Sequence, residues 1–120
     1  MTNIQVEIGG CVYTLVTSAR EQQWTAQALR GESNERYGVE VTAASEEEAR
    51  TRLTRWLTWQ YEHTVALDAL QQAEKAFHRA VASAAFASPE AQSAESKPAR
   101  AAMDAARNAL DDIRARRPNV

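Results

Sequence analysis

The sequence predicts an α+β fold: a four-stranded antiparallel β-meander, then a long α-helix, then a C-terminal antiparallel helix. The first observation is that apolar and polar residues alternate through positions 1–44, as they do in half-buried strands. The second is a run of helix-forming residues over 45–87, which contains neither Gly nor Pro. The third is an alanine-rich helical pattern over 97–117. We therefore expect a single domain over 1–120.

The strands of the meander follow from period-two alternation. The first strand covers 4–8 and is followed by Gly9-Gly10, a pair typical of a two-residue hairpin turn. This turn sets Ile8 opposite Cys11. Short polar connections favour antiparallel neighbours for the remaining strands. Those strands are expected over 11–17, 22–30 and 37–43.

The long helix has a clear start signal. Ser45 followed by Glu48 is a capping-box pattern, in which each residue satisfies a backbone amide of the other. The three acidic residues 46–48 also suit the positive end of the helix dipole. At 1.5 Å per residue the helix would be roughly 60 Å long. A short strand reaches only about 20 Å, so one small sheet cannot cover the helix.

An apolar heptad stripe runs along this helix for more than four repeats, with Gln60, His63 and Glu74 as polar interruptions. The far part of the stripe needs another cover, which we expect to be the C-terminal helix, a second copy of the chain, or both. The sequence thus predicts a non-enzymatic protein–protein interaction or assembly module, either a homo-oligomer such as a homodimer or a partner of a foreign subunit. The candidate interface residues are Trp56, Trp59, His63, Leu67, Leu70, Phe77 and Val81.

A second hypothesis is a regulatory protein that binds nucleic acid. Basic residues interleaved with aromatic ones can track a single strand by charge and stacking. One such group is Arg50, Arg52 and Arg55 with Trp56 and Trp59, and a further basic group is Arg107, Arg114, Arg116 and Arg117. The net charge of -2 and the neighbouring glutamates argue against a phosphate-dominated interface. The C-terminal arginines also suit the negative end of a helix dipole.

A third hypothesis is a small metal-binding or enzymatic protein centred on His63, Glu74 and His78. Glu74 and His78 are four residues apart, so both could reach one ion. The spacing is common and supplies no third ligand, so we expect no metal, cofactor or catalytic residue. Cys11 is the only cysteine, which excludes an internal disulfide, and we interpret it as a structural thiol.

The step from strand to helix carries one resemblance. Tyr37-Gly38-Val39-Glu40-Val41 leading into Ser45-Glu46-Glu47-Glu48-Ala49 resembles the sheet-to-helix step of HicB-type antitoxin domains. The long helix, the lack of a following strand and the lack of a DNA-binding module depart from that family. We transfer no function from it.

Targeting signals do not stand out in the sequence. No apolar run approaches the ~20 residues that span a bilayer, and the first residues lack the basic start and apolar core of a signal peptide. We therefore expect a cytoplasmic protein of bacterial type without a membrane partner.

Overall fold

The computed structural model of the chain describes residues 2–119, apart from the side chains of Thr2, Glu32 and Glu95. It has the predicted α+β architecture, with a four-stranded antiparallel sheet followed by two helices. The elements in chain order are β1 (Thr2–Ile8), β2 (Cys11–Arg20), β3 (Gln23–Arg30), a 3-10 turn (Gly31–Ser33), β4 (Glu35–Ala43), α1 (Glu46–Ser83) and α2 (Pro89–Ala115).

The sheet is a meander in the order β1-β2-β3-β4. Ile8 lies opposite Cys11, as the Gly9-Gly10 turn predicts. The end predicted for the second strand is wrong, because β2 continues to Arg20 and pairs with β3 as far as Gln23. The turn between them consists of Glu21 and Gln22. Glu21 adopts a φ of 59°, in the left-handed region. The sequence does not predict this conformation, because neither residue of the turn is a glycine.

β4 carries an irregularity that shapes the face of the sheet. Ala26 pairs with Val41 and Ala28 pairs with Tyr37, so β4 uses two more residues than β3 over this interval. Gly38 lies inside the irregularity with a φ of +83°. Bulges of this kind bend a strand and are a common use of glycine.

The N-terminus of α1 is anchored as the capping pattern predicts. The Glu48 amide donates to Ser45 Oγ at 3.1 Å. The buried hydroxyl of Thr17 donates to Glu46 Oε1 at 3.1 Å, and Arg50 also pairs with Glu46. The Glu48 side chain pairs with Arg52 instead of closing the capping box. The helix then runs without interruption for 38 residues.

The boundaries of the two helices differ from the predicted ones. α1 ends at Ser83 instead of Ala87, because the following residues form tighter turns such as Ala85 N–H to Ala82 O at 3.3 Å. The start predicted for the last helix, residue 97, is wrong, since α2 already begins at Pro89.

The early start of α2 has a local cause. Ser88 Oγ accepts from the Ala91 amide at 3.3 Å, and Pro89 occupies the first turn, where its missing N–H costs nothing. The Gln92 side chain donates to the Ala85 and Ala87 carbonyls, which fixes this turn to the preceding segment. Pro98 lies inside α2, which is bent, as an internal proline favours.

The chain divides into two compact units, each with its own apolar cluster. The sheet unit contains the residues up to Tyr61 and those from Arg117 onward, and the hairpin unit is Glu62–Arg116. In the sheet unit, Leu15, Val41 and Leu53 belong to a cluster between the sheet and the first half of α1. That the two units form one domain stays a prediction.

Candidate functional site

The candidate interface residues of the sheet unit are largely covered by their own chain. Trp56 is 7% exposed and belongs to the apolar cluster under the sheet. Trp59 is half-buried, and the guanidinium of Arg117 lies 5.6 Å from the centre of its indole ring. Such a cation–π contact occupies one face of the ring.

Two of the candidates in the hairpin unit also have contacts within the chain. Leu70 is buried against Ala66 and Leu110, which shows that α2 runs antiparallel beside this part of α1. His63 Nε2 accepts a hydrogen bond from Arg114 Nε at 3.3 Å. The remaining three of the seven candidates share one face of α1.

Those three are Leu67, Phe77 and Val81, which we call the open stripe. Leu67 and Phe77 are half-buried, and Val81 is 46% exposed. At about 100° per residue, their positions fall within an arc of about 80° on the surface of α1. Leu70 falls on the same arc and is buried, so the open stripe is the part of this apolar face of α1 that stays exposed around Leu70.

The interior of the hairpin unit is thin. Among its described side chains, the buried ones are Ala66, Leu70, Ala84 and Leu110. Two of the four are alanines, which bury little apolar area. Leu67, Met103, Ala106 and Ile113 pack against this cluster but are only partly buried. The amphipathic faces of both helices are thus incompletely covered within the unit.

Other exposed apolar residues were not predicted from the sequence. Phe86 is fully exposed in the segment that follows α1, where the sequence predicted continued helix. Val65 is 49% exposed, but its position is about 160° around the helix from Val81. Val65 therefore does not belong to the open stripe. In the sheet unit, Tyr61 is 44% exposed, and its ring lies against Gly9.

The first arginine group is paired with the glutamates that precede it. Arg50 pairs with Glu46, and Arg52 Nη2 lies 2.9 Å from Glu48 Oε1. Arg52 also donates to the Thr42 carbonyl at 3.2 Å. Pairs at this i,i+4 spacing are the ordinary arrangement of a solvated helix face. Arg55 is exposed and lines an open groove together with Glu47 and Glu48, so the groove carries both signs of charge.

Each of the four C-terminal arginines has a contact of its own within the chain. Arg114 donates to His63 and Arg117 stacks on Trp59. Arg107 lies 3.9 Å from Asp104, and Arg116 donates to the Asp112 carbonyl at 3.4 Å. That either arginine group binds nucleic acid stays a prediction.

The residues of the metal hypothesis are not assembled into a ligand set. Glu74 is half-buried, and the exposed His78 ring lies 5.9 Å from the ring of Phe77. Within residues 2–119, no group of three His, Cys, Asp or Glu side chains could hold a metal ion. Cys11 is partly buried and packs against the cluster of the sheet unit.

One titratable group of the sheet unit is perturbed. The rings of Tyr13 and Tyr37 stack with their centres 5.3 Å apart, and Arg30 lies over Tyr37 at 5.2 Å. Burial raises the pKa of the Tyr13 hydroxyl above 10.0, and the nearby Tyr37 and Cys11 raise it further. The group lies in a packed aromatic stack, and we assign it a structural role.

Comparison with known proteins adds no functional assignment. No protein-family model matches the chain, and no curated protein or solved structure matches it significantly. Over the described part of the chain, neither helix combines the length and apolar character needed to cross a membrane.

Proposed function

We propose that the protein is a non-enzymatic assembly module that self-associates through the open stripe of α1. The observation that carries the proposal is the exposure of Val81, 46%, on the same arc as the half-buried Leu67 and Phe77. A helix with an apolar stripe normally buries that stripe against another element. A contiguous exposed apolar surface is a usual mark of a protein interface.

A second copy of the chain is the partner we favour, because it requires no interface other than the open stripe itself. Two antiparallel helices bury one narrow seam, whereas four helices enclose a core between them. In a two-fold dimer the same surface serves both copies, so a single self-complementary stripe is sufficient. The thin interior of the hairpin unit, where alanines supply half of the buried positions described, supports this arrangement. A foreign subunit on the same stripe is the alternative partner.

The contribution of Val81 to association is estimated from area. Full burial of a valine side chain stabilises by about 1.5–3 kcal/mol; Val81 is 46% exposed, so about half of this applies in each copy, and a two-fold interface contains the residue twice. Replacement by a glutamate would lose this term and would also place a negative charge from each copy in the apolar contact. We therefore expect Val81→Glu to weaken association at least tenfold, since tenfold corresponds to about 1.4 kcal/mol.

Sedimentation velocity over a range of concentrations tests the proposal. Val65→Glu is the matched control, because it introduces the same charge at a valine of similar exposure on the other side of α1. We expect the wild-type chain and Val65→Glu to associate, and Val81→Glu to sediment with the monomer mass of 13.3 kDa. Far-ultraviolet circular dichroism should show that all three remain helical. Equal association of the two variants would refute the role of the open stripe.

A further inference from the structure

We infer that the two copies meet antiparallel along α1, with Glu74 of each copy beside His78 of the partner subunit. This inference rests on the proposed function. It concerns the orientation and register of the contact, which the open stripe alone does not define.

Glu74 is the charged residue at the centre of the open stripe. Its position falls between those of Leu67 and Val81 around the helix, at about 100° per residue. It is half-buried and has no ion pair among the described residues. A carboxylate in an apolar contact is costly unless an oppositely charged or hydrogen-bonding group faces it. Any partner of this stripe must therefore supply such a group opposite Glu74.

A parallel, in-register contact cannot supply it. In that arrangement each residue of the stripe faces its own copy, so the two Glu74 carboxylates meet at the centre of the interface. Like charges that are held close in a partly desolvated contact repel each other. The parallel arrangement thus places the two Glu74 carboxylates against each other at the centre of the contact.

An antiparallel contact removes this conflict. With the two-fold axis between Lys75 and Ala76, Glu74 lies opposite Phe77 of the partner subunit and one residue from its His78. The symmetry produces the Glu74–His78 pair twice. His78 is exposed in the single chain, so its imidazole is accessible to a partner.

The remaining charges of this half of α1 favour the same orientation. Residues 62–74 contain Glu62, Asp68 and Glu74 and no Lys or Arg, whereas residues 75–83 contain Lys75 and Arg79 and no acidic residue. An antiparallel contact in this register sets residues 75–83 of one copy beside residues 68–76 of the other, which include Asp68 and Glu74. Apart from Glu74, these side chains lie away from the stripe, so salt will screen their contribution.

Pulsed electron spin resonance tests the orientation. Spin labels are attached to Glu62→Cys or Gln72→Cys, each in a Cys11→Ser background. Antiparallel copies place the two labels at position 62 about 40 Å apart along the helix axis and those at position 72 about 10 Å apart, from the 1.5 Å rise. We expect the distance at 62 to be clearly longer than that at 72. Equal distances would indicate parallel copies and overturn the inference, while the proposed self-association would stand.

A double-mutant cycle tests the register. Glu74→Gln and His78→Gln should each weaken association about two- to fivefold, with little further loss in the double variant, as for two side chains that contact each other at a partly exposed site. Additive losses would overturn the Glu74–His78 contact. A wild-type chain that remains monomeric would overturn both the inference and the proposed function.

Discussion

The indole ring of Trp56 lies against the position that a side chain at Gly38 would occupy. A Cβ atom at this glycine would lie 3.0 Å from Cη2 and 3.2 Å from Cε3 of the ring, and closer still to Cζ3. The Trp56 Nε1–H is buried without a hydrogen-bond partner among the described residues. The ring is therefore held by its fit over the irregularity in β4, and this fit positions the first half of α1 on the sheet.

The contact between Gly38 and Trp56 predicts a large loss of stability for Gly38→Ala. Gly10→Ala is the matched control, because Gly10 has nearly the same φ, 82° against 83°, but open space around it. Both variants should lose about 1–2 kcal/mol through backbone strain. Gly38→Ala should lose about 1–3 kcal/mol more through overlap with the ring. Urea denaturation measures the difference, and equal losses would contradict the proposed packing.

Cooperative unfolding tests the prediction of a single domain. Trp24, Trp56 and Trp59 all belong to the sheet unit, so tryptophan fluorescence reports on that unit alone. Circular dichroism at 222 nm reports on both helices, and most of the helical residues belong to the hairpin unit. Because α1 continues without a break from one unit into the other, we expect the two urea transitions to coincide. Two separate midpoints would show that the units unfold independently.

The raised pKa of the Tyr13 hydroxyl predicts that the folded state loses stability in strong alkali. Burial is the main reason that its folded-state pKa lies above 10.0, and the neighbouring Tyr37 and Cys11 add to the shift. The folded state therefore holds this proton more tightly than the unfolded state does. The resulting stabilisation is fully present below pH 10 and is lost as the pH rises through the folded-state pKa. Tyr13→Phe should show a smaller decrease in stability above pH 10 than the wild type, and an identical decrease would contradict this assignment.

The regular parts of the fold follow from local sequence signals. The Gly9-Gly10 pair determined the β1–β2 register, and Ser45 indicated the start of α1. The irregularity in β4 was not predicted, because it depends on the packing of Trp56 over Gly38, and these residues are distant in sequence. The sequence does not predict the early start of α2, because Pro98 is typical of the first turn of a helix. The cap at Ser88 and the bonds of Gln92 instead begin the helix at Pro89.

The candidate site was predicted only as a stripe. Heptad spacing identifies the residues that share one face of α1, but it does not indicate which of them the chain itself covers. That depends on where the sheet and α2 pack, and they cover Trp56 and Leu70 but leave Val81 exposed. The sequence does not predict that Phe86 is exposed, because it predicts that the residues after Ser83 continue the helix. Their tighter turns leave its ring fully exposed.

Sedimentation equilibrium of the wild-type chain tests self-association most directly. With a surplus apolar stripe on α1, the average mass should rise with concentration from 13.3 kDa toward twice that value. The rise should persist at high salt, because apolar burial supplies most of the affinity. A constant mass of 13.3 kDa up to millimolar concentration would contradict the account.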